Sequence, residues 1–499
     1  MQGLLLALCC LSSLASPAVA VATERYEYPA RDECKAFPGS RAWPSRSVWQ
    51  GLNEKLGGRL LAPPPPGAVC HPGQATYNPD QCPNVQRLWP TFEFHAQNPV
   101  SIVWNQWNNF SCLPDPKAPC DGRRYPPYVV DASSAKHVKL GVDFARKHNV
   151  RLVVKGTGYD FLGRSTGAGA LSIWTHHMSW VQYHPAGQFK LSGSRRPFKG
   201  TAVTVGAGTQ MADIYSTLDK HKQMFIGAMG PSVGIAGFLS SGGHSNLSGR
   251  YGLGADNIVE MEVVTPKGDI VTVNEDHNAD LFWALRGGGG STFGIVTKFT
   301  LRTYPTPKVL AIRWVAGVDP KEPRKLDFAA ELLSKFPDMI DSGLLGWSAV
   351  VDNMPNPVPA PGDQAPPRNI SGLFGINAIL GTNEGGRAEE VLKPVADAIQ
   401  THWNGKAKLT LQTTQYPSYW AYVTGVYNPR PAGVGWWEAS RLLDKKVLTS
   451  NPKALAHALK AFDGNLFAMI LAGKGVQKPP GGRNSVNPPW RSAYMLSSK

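Results

Sequence analysis

Several features of other protein classes are missing from this 499-residue sequence. Basic residues outnumber acidic ones by 51 to 36, but they are scattered and form no run of five or more. A polyanion-binding role, whose affinity would fall steeply with salt, is therefore only a minor alternative, and we predict no nucleic acid partner. No segment after the N-terminus is both apolar and long enough to span a bilayer, so we expect no membrane span in the mature chain.

Common motifs of catalytic sites are also absent. No G-x-x-x-x-G-K-[S/T] sequence occurs, which excludes a P-loop, and no G-x-S-x-G elbow occurs, which argues against a serine hydrolase. Gly206–Gly208 is a G-x-G directly after a predicted strand, but Gln210 and Met211 stand where a Rossmann loop needs its third glycine. His176 and His177 are adjacent and would point to opposite faces of a strand, so we predict no metal site.

Cysteine is absent after residue 120. Cys9 and Cys10 lie in the N-terminal apolar segment, and the remaining cysteines are Cys34, Cys70, Cys82, Cys112 and Cys120. The economical pairing joins Cys70 to Cys82 and Cys112 to Cys120, which leaves Cys34 outside both pairs. Such clustered cysteines are typical of disulfides formed in an oxidising compartment.

Residues 1–20 form an apolar stretch that ends in Ala18-Val19-Ala20. The small residues predict a signal peptide cleaved after Ala20, although the stretch has no preceding Lys or Arg, and a membrane anchor is the alternative. We therefore predict a protein of the secretory pathway, secreted or vesicular. Candidate glycosylation sites are Asn109, Asn246 and Asn369.

Composition and pattern predict an α+β protein. Hydrophobic residues make up 42% of the chain, which suffices for packed cores, while 52 glycines and 42 prolines indicate many loops. We predict a Cys/Pro-rich N-terminal region over 21–122, a second domain over 123–305 and a third over 306–499, with the boundary near Tyr304–Pro307. Predicted strands of the second domain are Tyr128–Val130, Arg151–Lys155, Ala202–Val205, Ile258–Val264, Asp269–Val273 and Gly294–Arg302.

Helices are predicted from apolar residues at helical spacing. In the second domain, one helix follows Ser134 with Ala135, Val138, Val142 and Ala145 on one face, one carries Met211, Ile214 and Leu218 inward, and one covers Asn278–Leu285. In the third domain we predict strands Val309–Val315, Leu345–Val351 and Leu373–Leu380, helices over Lys325–Phe336 and from Arg387, and a Pro-rich loop over Met354–Pro367. Strands followed by helices suggest a sheet covered on one face.

Three glycine-rich loops, each attached to a predicted strand, are the main functional signal: Gly156–Gly169, Gly227–Gly243 and Gly287–Gly290. Glycine is costly in conformational entropy, so this density indicates that backbone approaches a ligand closely. Consecutive N–H groups in such loops can bind a pyrophosphate. Any one loop could be an ordinary turn, but three together predict a dinucleotide site.

The segments GTGYDFLGRSTGAGALSIWTHHM, GPSVGIAGFLSSGGHSNLSGRYGLGADNI and NADLFWALRGGGGSTFGIVTKFTL closely resemble the fungal berberine-bridge-enzyme-like FAD-linked oxidoreductases, which belong to the vanillyl-alcohol-oxidase superfamily. The resemblance implies a PCMH-type FAD-binding domain of two α+β subdomains and an α+β substrate domain. Matching positions place the pyrophosphate on Thr157, Gly158, Gly163, Arg164 and Ser165. They place the flavin along Pro231, Ser232, Val233, Gly234, Gly237, Gly242, Gly243 and His244, and the adenosine near Val296.

The sequence departs from the family at both covalent anchors of the flavin. Tyr159 stands where many relatives have the histidine that bonds the flavin 8α carbon, and Gly230 stands where bicovalent relatives have a cysteine. We therefore expect non-covalent FAD, with a tyrosyl ether through Tyr159 as the alternative. Relatives also continue into a C-terminal segment carrying a Y-x-N motif, which does not occur before Lys499. Either the site lacks one wall or the chain continues.

The resemblance implies an FAD-dependent oxidase that takes a hydride from a small organic substrate, with O₂ as acceptor, in fungal alkaloid or polyketide metabolism. A degenerate, non-catalytic relative and a sugar or alcohol oxidase are the alternatives. No catalytic base is assigned. The pair Trp436–Trp437 and the cluster Tyr416–Tyr427 either line a substrate pocket or pack in the core. The sequence gives no prediction of oligomeric state.

Overall fold

A computed structural model describes residues 34–194, 197–358, 368–382, 384–429, 431–461 and 465–499. The predicted signal peptide lies outside the described residues, and so do residues 359–367 of the predicted Pro-rich loop. Among the described residues, no helix combines the length and apolar character needed to cross a membrane.

The N-terminal region has little regular structure and is stapled by two disulfides. Both predicted bonds are confirmed: Cys70 is joined to Cys82, and Cys112 to Cys120. The regular elements of this region are α1 (Arg46–Lys55), β1 (Leu60–Leu61), α2 (Cys82–Leu88) and α3 (Phe92–Gln97). Helix α3 begins at the N-cap Thr91, whose hydroxyl accepts a hydrogen bond from the Phe94 N–H.

A first, mostly parallel sheet has the strand order β1-β2-β4-β3. Its further elements are β2 (Tyr128–Asp131), α4 (Ala135–Lys147), β3 (Leu152–Lys155) and β4 (Leu171–Trp174). The Ser134 hydroxyl caps α4 by accepting from the His137 N–H, as expected of a serine before an apolar periodic run. The helix buries Val138, Val142 and Ala145 in the core beside this sheet, which confirms the predicted face.

A second sheet is antiparallel, with the order β5-β6-β10-β8-β9. Its strands are accompanied by short helices and by a separate pairing of β7 with β11. The elements are β5 (Val181–His184), β6 (Ala202–Gly206), α5 (Met211–Lys220), β7 (Gln223–Met224), α6 (Ile235–Ser240), α7 (Ser248–Tyr251), β8 (Ile258–Val264), β9 (Ile270–Asn274), α8 (Ala279–Leu285), β10 (Ile295–Arg302) and β11 (Tyr304–Pro305). The predicted strands Ile258–Val264 and Asp269–Val273 correspond to β8 and β9, which pair antiparallel.

A third, antiparallel sheet has the order β15-β12-β14-β13-β17-β18-β16. Leu310, Ile312 and Trp314 lie on one face of β12, because alternate strand residues share a face. They pack in one core with residues of three helices, α9 (Lys325–Leu333), α11 (Gly386–His402) and α14 (Pro452–Ala461). The elements are β12 (Val309–Val318), α9 (Lys325–Leu333), α10 (Phe336–Asp341), β13 (Leu345–Pro355), β14 (Asn369–Leu380), α11 (Gly386–His402), β15 (Ala407–Tyr416), α12 (Tyr419–Val426), β16 (Ser440–Asp444), α13 (Lys445–Thr449), α14 (Pro452–Ala461), β17 (Leu466–Ile470), α15 (Lys474–Gln477) and β18 (Ala493–Ser498).

This arrangement confirms the predicted α+β class and the antiparallel sheet with helices on one face. One predicted helix differs. The helix predicted over Lys325–Phe336 ends at Leu333, and a new helix starts at Phe336. Pro337 explains the break, because proline has no N–H to donate and fits only the first turn of a helix. The domain boundary near residue 305 stays a prediction, although the third sheet begins just after it, at Val309.

Candidate functional site

A long cleft is lined by residues that follow strands of the first and second sheets. One part is a cavity of about 430 Å³ and the next a cavity of about 460 Å³, both within the usual range of ligand pockets. The two cavities share lining residues, including Val154, Arg164, Gly290 and Ile295, and are therefore neighbouring parts of one cleft. An elongated shape of this kind suits an extended ligand such as a dinucleotide.

The glycine-rich loops form the walls of the cleft. Gly158 and Gly163 have φ values of +82° and +74°, a backbone region that favours glycine. At Gly237 and Gly290 an added Cβ would meet no protein atom within 4 Å, although both residues line the first cavity, that of about 430 Å³. Protein packing therefore does not require glycine at these two positions, and the missing side chains leave room for a ligand.

Polar groups in the neighbouring cavity fit an anionic ligand. Arg164 lines both cavities, and Arg151 lines the second. The Arg164 guanidinium donates to the Asp160 carboxylate and, at 3.1 Å, to the Ser241 hydroxyl; the hydrogen bond to Asp160 raises the pKa of Arg164. The hydroxyl oxygen of Thr166 is buried and has no hydrogen-bond partner among the described residues. These groups could bind the pyrophosphate of FAD, so the residues present fit the cofactor that the sequence implies.

Tyr159 lines the first cavity. Its ring stacks on Phe92 with centroids 4.5 Å apart, and its hydroxyl lies 3.2 Å from the Ser232 hydroxyl oxygen. Burial raises the pKa of Tyr159, so the phenol stays neutral. A Cβ added to Gly230 would lie 3.8 Å from the Tyr159 hydroxyl oxygen and 3.5 Å from that of Tyr427. Tyr159 and Gly230, the positions that the resemblance pairs with covalent anchors of the flavin, therefore lie close together.

His244 lies on the wall of the same cavity and is exposed to it. Desolvation by the surrounding protein lowers the pKa of His244, which favours the neutral imidazole at pH 7. Its ring is parallel to that of Trp490 within 16°, with centroids 6.3 Å apart. Trp490 comes from the motif Asn484–Trp490, far along the chain.

A segment that we call the strap, residues 481–491, is held against the second sheet's loops by buried polar contacts. Asp256 is 0% exposed and accepts two hydrogen bonds from the Arg491 guanidinium, at 2.8 and 2.9 Å. The Asn484 amide donates to the same carboxylate at 2.6 Å. Arg286 donates to the carbonyl oxygens of Gly481 and Arg483, at 2.7 and 2.8 Å. Arg286 therefore anchors a loop, and the strap places Trp490 beside His244.

The structure brings most of the sequence-predicted cofactor residues to the cleft. The first cavity is lined by Thr157, Gly158, Tyr159, Arg164, Ser165, Val233, Gly234, Gly237, Gly243, His244 and Val296, and the second cavity adds Gly163. Pro231, Ser232 and Gly242 belong to the same loops but are not among the lining residues of either cavity. Ser232 contacts the cleft indirectly, through the Tyr159 hydroxyl. The cofactor role of each residue stays a prediction.

Sequence reasoning missed several lining residues. Asp160, Phe161 and Leu162 lie inside the first glycine loop, and Phe238 lies inside the second, so the loops themselves were the available signal. Thr175 and Ala207 line the cavity from positions just after β4 and β6. Nothing in the local sequence distinguishes those two from other residues at strand ends.

The aromatic candidates separate into two groups. Tyr419 and Tyr422 are buried in the core, which favours packing for them. Tyr427 reaches the Tyr159 end of the cavity, and Trp437 is exposed. Trp436 packs with Trp104, their ring centroids 6.3 Å apart.

The adjacent histidines have structural contacts. The His176 ring stacks on Trp174 with centroids 5.1 Å apart. His177 Nδ1 lies 2.5 Å from the Asp131 carboxylate. These contacts give both histidines a structural role.

Two of the candidate glycosylation sites are on the surface, and one is not. Asn109 and Asn369 are exposed, whereas Asn246 is only 6% exposed. Glycosylation needs an accessible side-chain amide, so the buried Asn246 does not fit the glycan predicted for it.

Comparison with known proteins adds a family to this geometry. Residues 126–274 match a family described as an FAD binding domain. The chain is 31% identical over 493 residues to a bifunctional decalin synthase of Penicillium decumbens, covering 96% of this chain and 80% of the relative. It is 32% identical over 480 residues to an FAD-linked oxidoreductase of Gibberella fujikuroi, covering 93% and 80%.

Solved structures agree with the fold. The chain is similar to the VAO-type flavoprotein MtVAO615 of Myceliophthora thermophila, with a TM-score of 0.79, 29% identity, and 93% of this chain and 82% of that chain covered. A second flavoprotein of that organism, MtVAO713, gives a TM-score of 0.82 at 27% identity, with the same coverage.

Proposed function

The chain belongs to the FAD-linked oxidoreductases of the vanillyl-alcohol-oxidase superfamily, and on that premise we propose that it is a flavin-dependent oxidase of a small organic substrate. The observation that carries this proposal is the glycine-walled cleft whose lining includes Tyr159 and His244. When bound, FAD supplies the acceptor for a hydride from a substrate C–H bond. In the overall reaction the substrate loses two hydrogens, and O₂ takes them up as H₂O₂.

The chain's own residues bind and orient the reacting partners. The glycine loops allow close approach of backbone N–H groups, and Arg164 and Thr166 offer side-chain donors to the pyrophosphate. Tyr159 and His244 present a neutral hydroxyl and a neutral imidazole to the cavity, so neither adds a charge beside the reacting centre. Trp490, held by the strap, lies beside His244 with its ring nearly parallel to the imidazole.

We propose that FAD is held without a covalent bond. The Tyr159 phenol is already engaged with Ser232, and its raised pKa disfavours the phenolate that an ether bond would require. Gly230 has no side chain to form a second bond. The cofactor must then depend on the cleft alone, through the contacts of the glycine loops and Arg164.

Acid precipitation of the purified protein tests both proposals. The visible absorption spectrum should show bound flavin, and precipitation should leave the yellow colour in the supernatant. A yellow pellet would contradict non-covalent binding and would make Tyr159→Phe the variant to examine. A colourless protein that does not take up added FAD would contradict the oxidase and favour the degenerate relative. With a substrate in hand, H₂O₂ release measured against O₂ uptake tests the acceptor.

The setting we propose is fungal secondary metabolism in the secretory pathway. One relative is named a decalin synthase, which fits a substrate with a carbon skeleton of fused rings. Two disulfides and the exposed sequons at Asn109 and Asn369 fit an oxidising compartment. N-terminal sequencing of the protein from culture medium should begin at Val21. Treatment with a glycosidase specific for N-linked glycans should reduce its mass.

A further inference from the structure

An exposed aromatic surface lies beside the mouth of the cleft. Its exposed members are Trp107, Phe110, Phe161 and Trp437; together with the half-buried Trp436 and the buried Trp104 that packs beneath them, we call these residues the aromatic platform. Trp437 is 74% exposed, the largest fraction among the exposed large hydrophobic residues of the described chain. Trp107, Phe110 and Phe161 are exposed as well. Exposing several aromatic side chains together is unfavourable in water, so a surface of this kind indicates a binding site.

Three distant segments converge to build the platform. Phe161 stacks on Trp104 with centroids 4.6 Å apart, and Trp107 packs at 5.8 Å from Trp437 with the rings tilted by 59°. The backbone N–H of Asn105 donates to the Val434 carbonyl at 2.9 Å, which fixes the first segment against the third.

Glycine makes the close packing of these segments possible. A Cβ at Gly163 would lie 2.5 Å from the Trp107 ring, so the Phe161 loop can approach that ring only with glycine at this position. A Cβ at Gly435 would lie 2.9 Å from the Phe110 ring. The platform is therefore a defined structure rather than a set of unrelated surface side chains.

The platform offers ring faces more than hydrogen bonds. The indole N–H groups of Trp104 and Trp107 donate to the carbonyl oxygens of Tyr159 and Phe161, each at 3.0 Å. The indole N–H of Trp436 donates to a carboxylate oxygen of Glu438 at 3.3 Å. The six side chains carry no charge. A ligand that stacks on rings suits this surface better than one that needs many polar partners.

The platform is continuous with the cleft. Phe161 belongs to the platform and also lines the first cavity, and its exposed neighbour Leu162 lines both cavities. Resting on the proposed function, we infer that the platform binds the substrate's apolar ring system, and that the substrate class is a planar or fused-ring hydrophobic molecule rather than a carbohydrate. The substrate would stack on Trp437 and Trp107 and reach the flavin end past Phe161.

Calorimetric titration of the FAD-loaded, full-length protein tests this inference, with 1-naphthol as the planar apolar probe and cellobiose as the carbohydrate probe. 1-Naphthol should bind saturably, and cellobiose should not. Trp437→Ala should weaken 1-naphthol binding about tenfold, because one of the two stacking faces is lost. Trp437→Phe keeps an aromatic face and should stay within about threefold of the wild type.

The matched control is Trp283→Ala, since Trp283 is also exposed, at 48%, but lies outside the platform. It should leave 1-naphthol binding unchanged. Wild-type affinity in Trp437→Ala, equal losses in Trp437→Ala and Trp283→Ala, or tighter binding of cellobiose would each overturn the inference. A self-association that sedimentation detects and Trp437→Ala abolishes would also overturn it, because a second chain would then cover the platform.

The flavin spectrum of each sample separates this inference from the proposed function. A protein that holds FAD but does not bind 1-naphthol contradicts the platform's role alone. A protein that takes up no FAD contradicts the oxidase itself.

Discussion

Neutralising the buried Asp256 carboxylate should measurably destabilise the protein. In Asp256→Asn, the Arg491 guanidinium loses the two charged hydrogen bonds that it makes at 2.8 and 2.9 Å, and the Asn484 amide faces another amide. Removing one partner of a buried ion pair costs about 3–5 kcal/mol, because the remaining charge is left uncompensated. The backbone N–H of Leu253 can still donate to the new side chain, so the local turn has a reason to persist.

The size of the protein converts this free energy into a modest shift of the melting temperature. Unfolding entropy is about 2.1 cal/mol/K per residue, which gives about 1 kcal/mol/K for the compact unit Ala36–Lys499. Asp256→Asn should therefore lower Tm by about 3–5 °C in differential scanning calorimetry. Arg491→Met should lower Tm by a similar amount. The double variant Asp256→Asn/Arg491→Met should lower Tm by clearly less than the sum of the two single shifts, because it contains neither charge and so leaves no charge unpaired.

A surface ion pair provides the control. The Lys393 ammonium and the Asp397 carboxylate lie 2.7 Å apart, but both side chains are largely exposed. Asp397→Asn should change the free energy of unfolding by about 0.5 kcal/mol and Tm by less than 1 °C. If Asp256→Asn shifts Tm no more than this control, or if the Asp256 and Arg491 effects simply add, the buried pair does not hold the strap as we argue.

Three further predictions concern other buried features. Burial lowers the pKa of Lys155 to about 7, below its unfolded value, so the unfolded chain binds more protons between about pH 7 and 10.5. In guanidinium unfolding, the free energy of unfolding of the wild type should rise with pH across that window relative to that of Lys155→Met. A difference between the two proteins that does not change with pH would contradict the lowered pKa. The double variant Cys70→Ala/Cys82→Ala opens a loop of separation 12 and should lose about 3 kcal/mol, seen as a Tm lower by about 3 °C; an unchanged Tm would refute this. Gly287→Ala places a Cβ 2.4 Å from the Val486 side chain at a φ of +104°, and should cost about 1–3 kcal/mol in chemical denaturation. If Gly287→Ala had the same free energy of unfolding as the wild type, the strap residue Val486 would have to move away from the new Cβ at no cost.

Local chemistry explains what the sequence predicted well. The disulfides follow from short spacing, and α4 follows from a serine cap with an apolar face at helical period. The glycine loops were visible because glycine density after a strand is a local signal, and the structure places them along one cleft. Tyr159 could also be singled out from the sequence, because it stands where many members of the resembled family have a histidine.

Long-range contacts explain what the sequence did not predict. Asp256 and Arg491 are 235 positions apart, and neither stands in a pattern that names its partner. Strands β15 and β16 have no buried residue and only weak alternation, and their pairing depends on neighbours distant in sequence. The aromatic platform was half visible, as Trp436 and Trp437, but its other members come from segments that only the tertiary structure brings together.

The contact between the N-terminal region and residue 433 also has a consequence for biosynthesis. The Asn105 side-chain amide donates to the Gly433 carbonyl, a separation of 328 positions. At a synthesis rate of about 5–20 residues per second, the ribosome needs about 15–65 s to add that length. During that interval Trp104 and Trp107 have no partner from the later segment. Incomplete chains therefore expose these aromatic side chains to water, and we expect chaperones to bind them until residue 433 leaves the ribosome.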